Sequence, residues 1–139
     1  MNKKLMFSSQ TDMWETPIDF FKQYEKLYDL KLDVCATKEN KKCNDYFDVD
    51  QDGLEQEWDK NFWMNPPYGR QIGKWIKKAY NEHLKYGVTG VLLLPSRTDT
   101  KWFHDYCVKG KLEFIKGRLK FGGQKNPAPF PSLVVIFKK

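Results

Sequence analysis

Residues 62–68 read Phe62-Trp63-Met64-Asn65-Pro66-Pro67-Tyr68. The three leading apolar residues are typical of a short buried strand. Two consecutive prolines then end that strand, because proline has no backbone N–H to donate to a sheet. The predicted strand therefore ends at Met64. An amide, a rigid turn and an aromatic ring follow it directly, and this end of the strand is a candidate site.

Outward from this segment, predicted helices and strands alternate along the chain. Thr16-Pro17 has the features of a helix start, with Thr16 as N-cap and Pro17 in the first turn. Apolar residues at helical spacing predict an amphipathic helix over residues 72–84, and a short helix is predicted over 102–107. The predicted strands are residues 30–36, 46–47, 61–64, 88–94, 112–115, 119–121 and 133–137.

This alternation predicts an α/β fold with a mainly parallel sheet, helices on both faces and an antiparallel C-terminal end. The length of 139 residues suits one domain spanning residues 1–139, whose first ten residues are expected to be flexible. Ligands of open α/β sheets bind beyond the carboxyl ends of the strands. Asp33, Asn65 and Pro95 each lie at or near such an end, so the fold class predicts one shared rim.

Composition excludes several classes of protein. No run of 18 apolar residues is present, so a membrane-spanning helix is not expected. The three cysteines form no Cys-x-x-Cys pair and the chain has only two histidines, so no metal site is predicted. Unpaired cysteines fit a reducing cytoplasm.

Positive charge is concentrated at one end of the chain. Residues 97–139 hold 10 of the 24 lysines and arginines but only 3 of the 18 acidic residues. This imbalance favours a polyanionic partner such as nucleic acid, although a lysine-rich solvated surface would give the same pattern.

The segment after the 62–64 strand has the groups needed to methylate an aromatic amine. Such an amine is a weak nucleophile, because its lone pair is delocalised into the ring. The side-chain carbonyl of Asn65 and the backbone carbonyl of Pro66, aimed by the rigid Pro66-Pro67 turn, can each accept one N–H of the amine. Tyr68 offers a face for stacking. The alternative is a rigid turn without chemistry.

An ordered set of motifs supports the chemical interpretation. They are Trp14–Pro17, Leu32–Ala36, Asp52–Leu54, Trp58, Asn65–Arg70, Leu92–Pro95, Arg97–Thr100, Trp102-Phe103, Gly117–Phe121 and Ala128–Ser132. In this set the chain resembles the phage and prophage Dam-type DNA N6-adenine methyltransferases, which use S-adenosylmethionine. The resemblance implies a three-layer Rossmann-like methyltransferase fold and methyl transfer to the exocyclic amine of a flipped adenine.

The resemblance also assigns residues to the cofactor. It implies that Asp33 meets the amino group of the donor, and that the 14–17 element lies near its methionine end. One departure from the family pattern is the lack of glycine between Asp33 and Gly53. The expected cofactor-binding residues are Trp14, Thr16, Pro17, Asp33, Cys35, Asp48 and Asp52.

Double-stranded DNA is the expected partner, and a base must leave the duplex to stack on Tyr68. The candidate DNA contacts are Arg70, Arg97, Lys101, Arg118, Lys120 and Lys125. No separate target-recognition domain is evident, so these loops or a second subunit in a homodimer would read the sequence. The same loop could instead serve N4-cytosine, RNA or protein-glutamine methylation, and a non-catalytic basic DNA-binding module is a further alternative.

Overall fold

The computed structural model describes residues 14–139, so the expectation of a flexible first ten residues lies outside it. The helices are α1 Ile18–Tyr28, α2 Ile72–Tyr86 and α3 Lys101–Asp105. The strands are β1 Leu32–Asp33, β2 Asp45–Tyr46, β3 Phe62–Met64, β4 Gly90–Pro95, β5 Lys111–Phe114 and β6 Ser132–Phe137. Two short 3-10 helices span Gly53–Glu55 and Cys107–Lys109. No helix within residues 14–139 has the length and apolar character needed to cross a bilayer.

The strands form one sheet in the order β2-β1-β3-β4-β6-β5. The first four of these strands are mutually parallel, whereas β6 runs antiparallel to both of its neighbours, β4 and β5. The mainly parallel sheet with an antiparallel C-terminal end is therefore confirmed. Because β4 and β5 both run opposite to β6, all five other strands end at the same edge of the sheet.

Adjacent residues of β3 show why helices cover both faces of the sheet. Successive side chains of a strand point to opposite faces. Trp63 packs edge-on against Phe21 of α1, with 5.2 Å between the ring centroids. Phe62 packs against Trp58, which in turn stacks on Trp75 of α2. The two helices thus lie on opposite sides of β3, and the three-layer prediction is confirmed.

Several sequence-based boundaries are wrong for physical reasons. The first strand covers only Leu32–Asp33, because the chain turns directly after Asp33 and its carboxylate accepts backbone N–H groups of the following loop. Thr16 is not the N-cap of α1, since Pro17 occupies that position and the Thr16 hydroxyl accepts a hydrogen bond from Asn65 instead.

The predicted strand over residues 119–121 is a loop. Phe121 is buried there by contact with the rings of Trp14 and Phe130. Two backbone hydrogen bonds lie within the loop: the N–H of Ala128 donates to the carbonyl of Leu119 at 2.8 Å, and the N–H of Gln124 donates to that of Phe121 at 3.1 Å. The apolar pattern that predicts a strand therefore reflects burial against aromatic side chains rather than pairing in the sheet.

Candidate active site

Three of the predicted features meet at the carboxyl edge of the sheet. Asp33 ends β1, Asn65 follows β3, and Pro95 ends β4. In the parallel pairing Asp33 lies opposite Trp63, two residues before Asn65. The sheet register therefore brings the acidic residue and the amide to neighbouring strand ends, as the sequence predicts.

The Asn65 amide is held in one orientation by the segment before α1. Its Nδ2 donates to the carbonyl oxygen of Trp14 and, at 2.9 Å, to the hydroxyl of Thr16. The Trp14 carbonyl can only accept, so the amide nitrogen must face it and the side-chain oxygen must face away. That oxygen is buried and has no hydrogen-bond partner among residues 14–139. A buried acceptor of this kind is costly unless a ligand group satisfies it.

Tyr68 is buried, with 4% of its surface exposed. Its hydroxyl donates to the carbonyl of Leu93 at 2.9 Å. Burial raises the pKa of the Tyr68 phenol well above its ordinary value, opposed by the charge of Arg97, so the ring stays neutral. Phe130 and Phe121 pack edge-on against it, with ring centroids 5.7 and 6.3 Å away. Stacking of a base on Tyr68 remains a prediction.

A cavity of about 230 Å³ lies beside the Asn65 amide. It brings together five of the predicted cofactor and catalytic residues, which are Trp14, Thr16, Asp33, Cys35 and Asn65. Trp63 forms part of its wall. The cavity therefore connects the acidic end of β1 with the amide after β3.

Asp33 is the buried charge of this cavity. Its two carboxylate oxygens accept the backbone N–H groups of Cys35 at 3.3 Å and Lys42 at 3.0 Å. Burial raises the pKa of the Asp33 carboxyl to about 7, although both N–H groups and the charge of Lys42 oppose the rise. A cationic ligand group would favour the ionised form, which makes Asp33 a suitable partner for an amine.

Five residues of the cavity wall are not among the predicted site residues: Glu15, Asn40, Lys42, Trp63 and Gly122. The position of Lys42 in the cavity wall is not predictable from the sequence, because a lysine in a polar loop normally faces water. Gly122 lies in the same loop as the predicted DNA contacts Lys120 and Lys125, and its N–H donates to the carbonyl of Glu15 at 2.9 Å. A signal for Glu15 was present, since it lies within the Trp14–Pro17 motif.

Three predicted cofactor residues do not line this cavity: Pro17, Asp48 and Asp52. Asp48 exchanges two 3.0 Å hydrogen bonds with Gln51. Asp52 caps the Gly53–Glu55 turn by accepting the N–H of Leu54. A side chain at Gly53 would meet the carbonyl oxygen of Val34 at 2.2 Å, so this glycine permits a close backbone approach next to Asp33.

The predicted DNA-contacting residues are all exposed. Arg70 follows β3, Arg97 follows β4, and Arg118, Lys120 and Lys125 lie between β5 and β6. Because β3, β4 and β5 end at the same edge, these loops share the rim that carries Asn65. Lys101 begins α3 and pairs with Asp105 at 2.6 Å. By contrast, Lys78 and Lys85 of α2 pair with Glu82 and Glu57.

The strand order, the antiparallel β6 and the Asn-Pro-Pro-Tyr loop at a strand end define a Rossmann-like methyltransferase. A family model described as DNA N-6-adenine-methyltransferase (Dam) matches residues 4–139. The chain belongs to this family, so its resemblance to Dam-type adenine-specific DNA methyltransferases is confirmed.

Two phage proteins, each named DNA N-6-adenine-methyltransferase, are similar in sequence. The protein of Haemophilus phage HP1 is 30% identical over 149 residues, which cover 99% of this chain and 85% of the phage protein. That of Escherichia phage T1 is 35% identical over 132 residues, which cover 76% of this chain and 55% of the phage protein. The chain therefore spans most of the first relative and about half of the second.

Proposed function

We propose that this methyltransferase transfers the methyl group of S-adenosylmethionine to the N6 amine of an adenine flipped out of double-stranded DNA. In the balanced reaction the N6 lone pair forms a bond to the methyl carbon, the carbon–sulfur bond breaks, and N6 releases one proton. S-adenosylhomocysteine and N6-methyladenine are the products. Family membership favours adenine over the cytosine, RNA and protein-glutamine alternatives.

The side-chain oxygen of Asn65, which is buried and has no hydrogen-bond partner within residues 14–139, is the observation that carries this proposal. An adenine amine supplies the donor that this oxygen lacks, and the backbone carbonyl of Pro66 can accept the second N–H. Both hydrogen bonds strengthen as the nitrogen becomes tetrahedral and positively charged in the transition state. Pro66 and Pro67 are buried, which keeps the turn rigid while Asn65 acts.

The cavity beside Asn65 fits the amino-acid end of the methyl donor. Asp33 offers a buried carboxylate for the donor amine, and Cys35 forms part of the wall. Burial raises the pKa of the Cys35 thiol well above its ordinary value, so the thiol stays neutral and does not compete for the methyl group. By the family resemblance, Asp48 or Asp50 would hold the ribose hydroxyls of the donor and Asp52 would contact its adenine, outside this cavity.

Catalysis by this site rests on orientation rather than on a strong base. The Tyr68 phenol stays protonated, because burial raises its pKa. The donor supplies an electrophilic methyl group when it is bound, so the chain needs only to desolvate the amine and align it with that group. Deprotonation can follow transfer, since a methylated ammonium nitrogen is a strong acid.

The DNA side of the proposal rests on the exposed basic residues of the rim. Arg70, Arg97, Lys101, Arg118, Lys120 and Lys125 would contact phosphates or bases around the flipped adenine. We propose that residues 1–139 act as one domain in the cytoplasm of a bacterial host, as phage-encoded relatives suggest. A homodimer would extend the DNA surface that these basic residues contact.

Nucleoside analysis tests this function directly. The protein is incubated with unmethylated double-stranded DNA and S-adenosylmethionine carrying a deuterated methyl group, and the DNA is digested and analysed by mass spectrometry. We expect deuterated N6-methyladenine. Label on cytosine contradicts the proposal. So does a folded protein that labels no base in DNA substrates of several different sequences.

A further inference from the structure

The side chain of Lys42 is largely shielded from water, and most of its hydrogen-bonding capacity is unused among residues 14–139. Only 8% of its side chain is exposed. Among residues 14–139 its ammonium donates one hydrogen bond, to the backbone carbonyl of Asn40 at 3.1 Å. An ammonium has three donors, and a buried charge is costly when it is poorly paired.

This ammonium has one ion pair among residues 14–139, to Glu15, and neither nearby carboxylate accepts a hydrogen bond from it. Asp33 accepts the backbone N–H of Lys42, and no ion pair within 4.0 Å joins the two side chains. Glu15 lies 3.9 Å away, beyond hydrogen-bonding distance, and its side chain is 47% exposed. Glu15 can therefore turn to solvent if a better anionic partner enters the cavity.

We infer that Lys42 binds the α-carboxylate of the methyl donor and selects for donors that carry it. Lys42 is the one basic residue among the cavity-lining residues in the described part of the chain. The amino-acid end of the donor carries an ammonium and a carboxylate on one carbon. Asp33 and Lys42 offer the two opposite charges in the same cavity, joined through the Lys42 backbone N–H. This inference rests on the proposed function.

Two ligands separate a carboxylate contact from a general structural role. S-adenosylhomocysteine has the amine and the carboxylate, whereas S-adenosyl-3-thiopropylamine keeps the amine and lacks the carboxylate. We expect calorimetry on the wild-type protein to show at least tenfold tighter binding of S-adenosylhomocysteine. Lys42→Met should weaken S-adenosylhomocysteine binding at least tenfold and change binding of the decarboxylated ligand less than twofold.

Lys38→Met is the matched control, because Lys38 is exposed on the same loop and does not line the cavity. It should leave both affinities unchanged, and Lys42→Arg should keep most of the preference for the carboxylate. Melting temperatures without ligand monitor folding.

If Lys42→Met weakens the binding of both ligands equally, or weakens neither, the carboxylate-binding role of Lys42 is wrong. The proposed function is not affected by that result. If the wild-type protein binds both ligands with equal affinity, the cavity does not recognise the carboxylate, and the role of Lys42 is wrong. A folded wild-type protein that binds neither ligand contradicts the proposed function, and the role of Lys42 with it.

Discussion

The two sides of the Asn65 amide differ in how they are built. On the cavity side, Asp33 is buried and the side chain of Lys42 is only 8% exposed, and backbone hydrogen bonds of the 33–42 loop hold both. On the rim side, Arg97, Arg118 and Lys120 are exposed. The difference indicates that the cavity is preorganised for one small ligand, whereas the rim is suited to a polyanion through charge. Donor binding in the cavity should therefore depend on pH, whereas DNA binding at the rim should depend on salt concentration.

The pH dependence of donor binding tests the cavity side. Burial raises the pKa of Asp33 to about 7, whereas an unfolded aspartate has a pKa of about 4. Below pH 7 Asp33 therefore holds a proton that a cationic ligand must displace, so the affinity for S-adenosylhomocysteine should fall as pH decreases. Linkage predicts that this affinity, measured by calorimetry, falls about tenfold between pH 8 and pH 6.

Asp33→Asn is the control for that measurement, because an amide does not titrate in this range. Its binding should be weaker at every pH and nearly independent of pH. DNA affinity of the wild-type protein, measured at constant salt, should lack this transition. A flat profile for the wild-type protein would contradict the role of Asp33 as the ionised partner of the donor.

The segment that joins the two sides offers the next test. Thr16 accepts one of the two hydrogen bonds that orient the Asn65 amide, and such a bond is worth about 1 kcal/mol. Thr16→Val should therefore lower the methyl-transfer rate about fivefold in single-turnover assays, and Thr16→Ser should restore it. If Thr16→Val instead weakens donor binding at an unchanged rate, Thr16 contacts the donor, as the sequence resemblance implies.

The smallest expected effect concerns the rim. Removal of one phosphate contact lowers the slope of log affinity against log salt by about 1 and weakens binding a few-fold. We expect this of Lys120→Ala in DNA-binding titrations over a range of salt concentrations. Lys77→Ala, on the exposed face of α2, is the matched control and should leave the slope unchanged. Equal slopes for both variants would remove Lys120 from the DNA contact surface.

The main strands and the long helix could be predicted from the sequence, because they depend on local hydrophobic patterns. The buried runs of β3, β4 and β6 and the amphipathic α2 follow from hydrophobic periodicity. The shared edge of Asp33 and Asn65 follows from the rule for parallel strand ends. These inferences need no knowledge of contacts between distant residues.

Interactions between distant segments were not predictable in the same way. Thr16 has the sequence features of a helix cap, but Asn65, 49 residues later, uses its hydroxyl. Lys42 looks like a solvated lysine, and its burial depends on packing that local propensity does not encode. Phe121 alternates like a strand residue, although it packs against the rings of Trp14 and Tyr68 from two other segments. In each case a tertiary contact overrides a local preference.

Comparison of Asn65→Ala with the wild-type protein tests the central claim most directly. Single-turnover methyl transfer to DNA and S-adenosylhomocysteine affinity should be measured on the same preparations. We predict that the rate falls at least about 100-fold, as expected for loss of a transition-state hydrogen-bond acceptor, while the affinity changes less than about threefold. An unchanged rate, or a rate that falls only in proportion to lost donor affinity, would contradict the claim that the Asn65 oxygen holds the adenine amine.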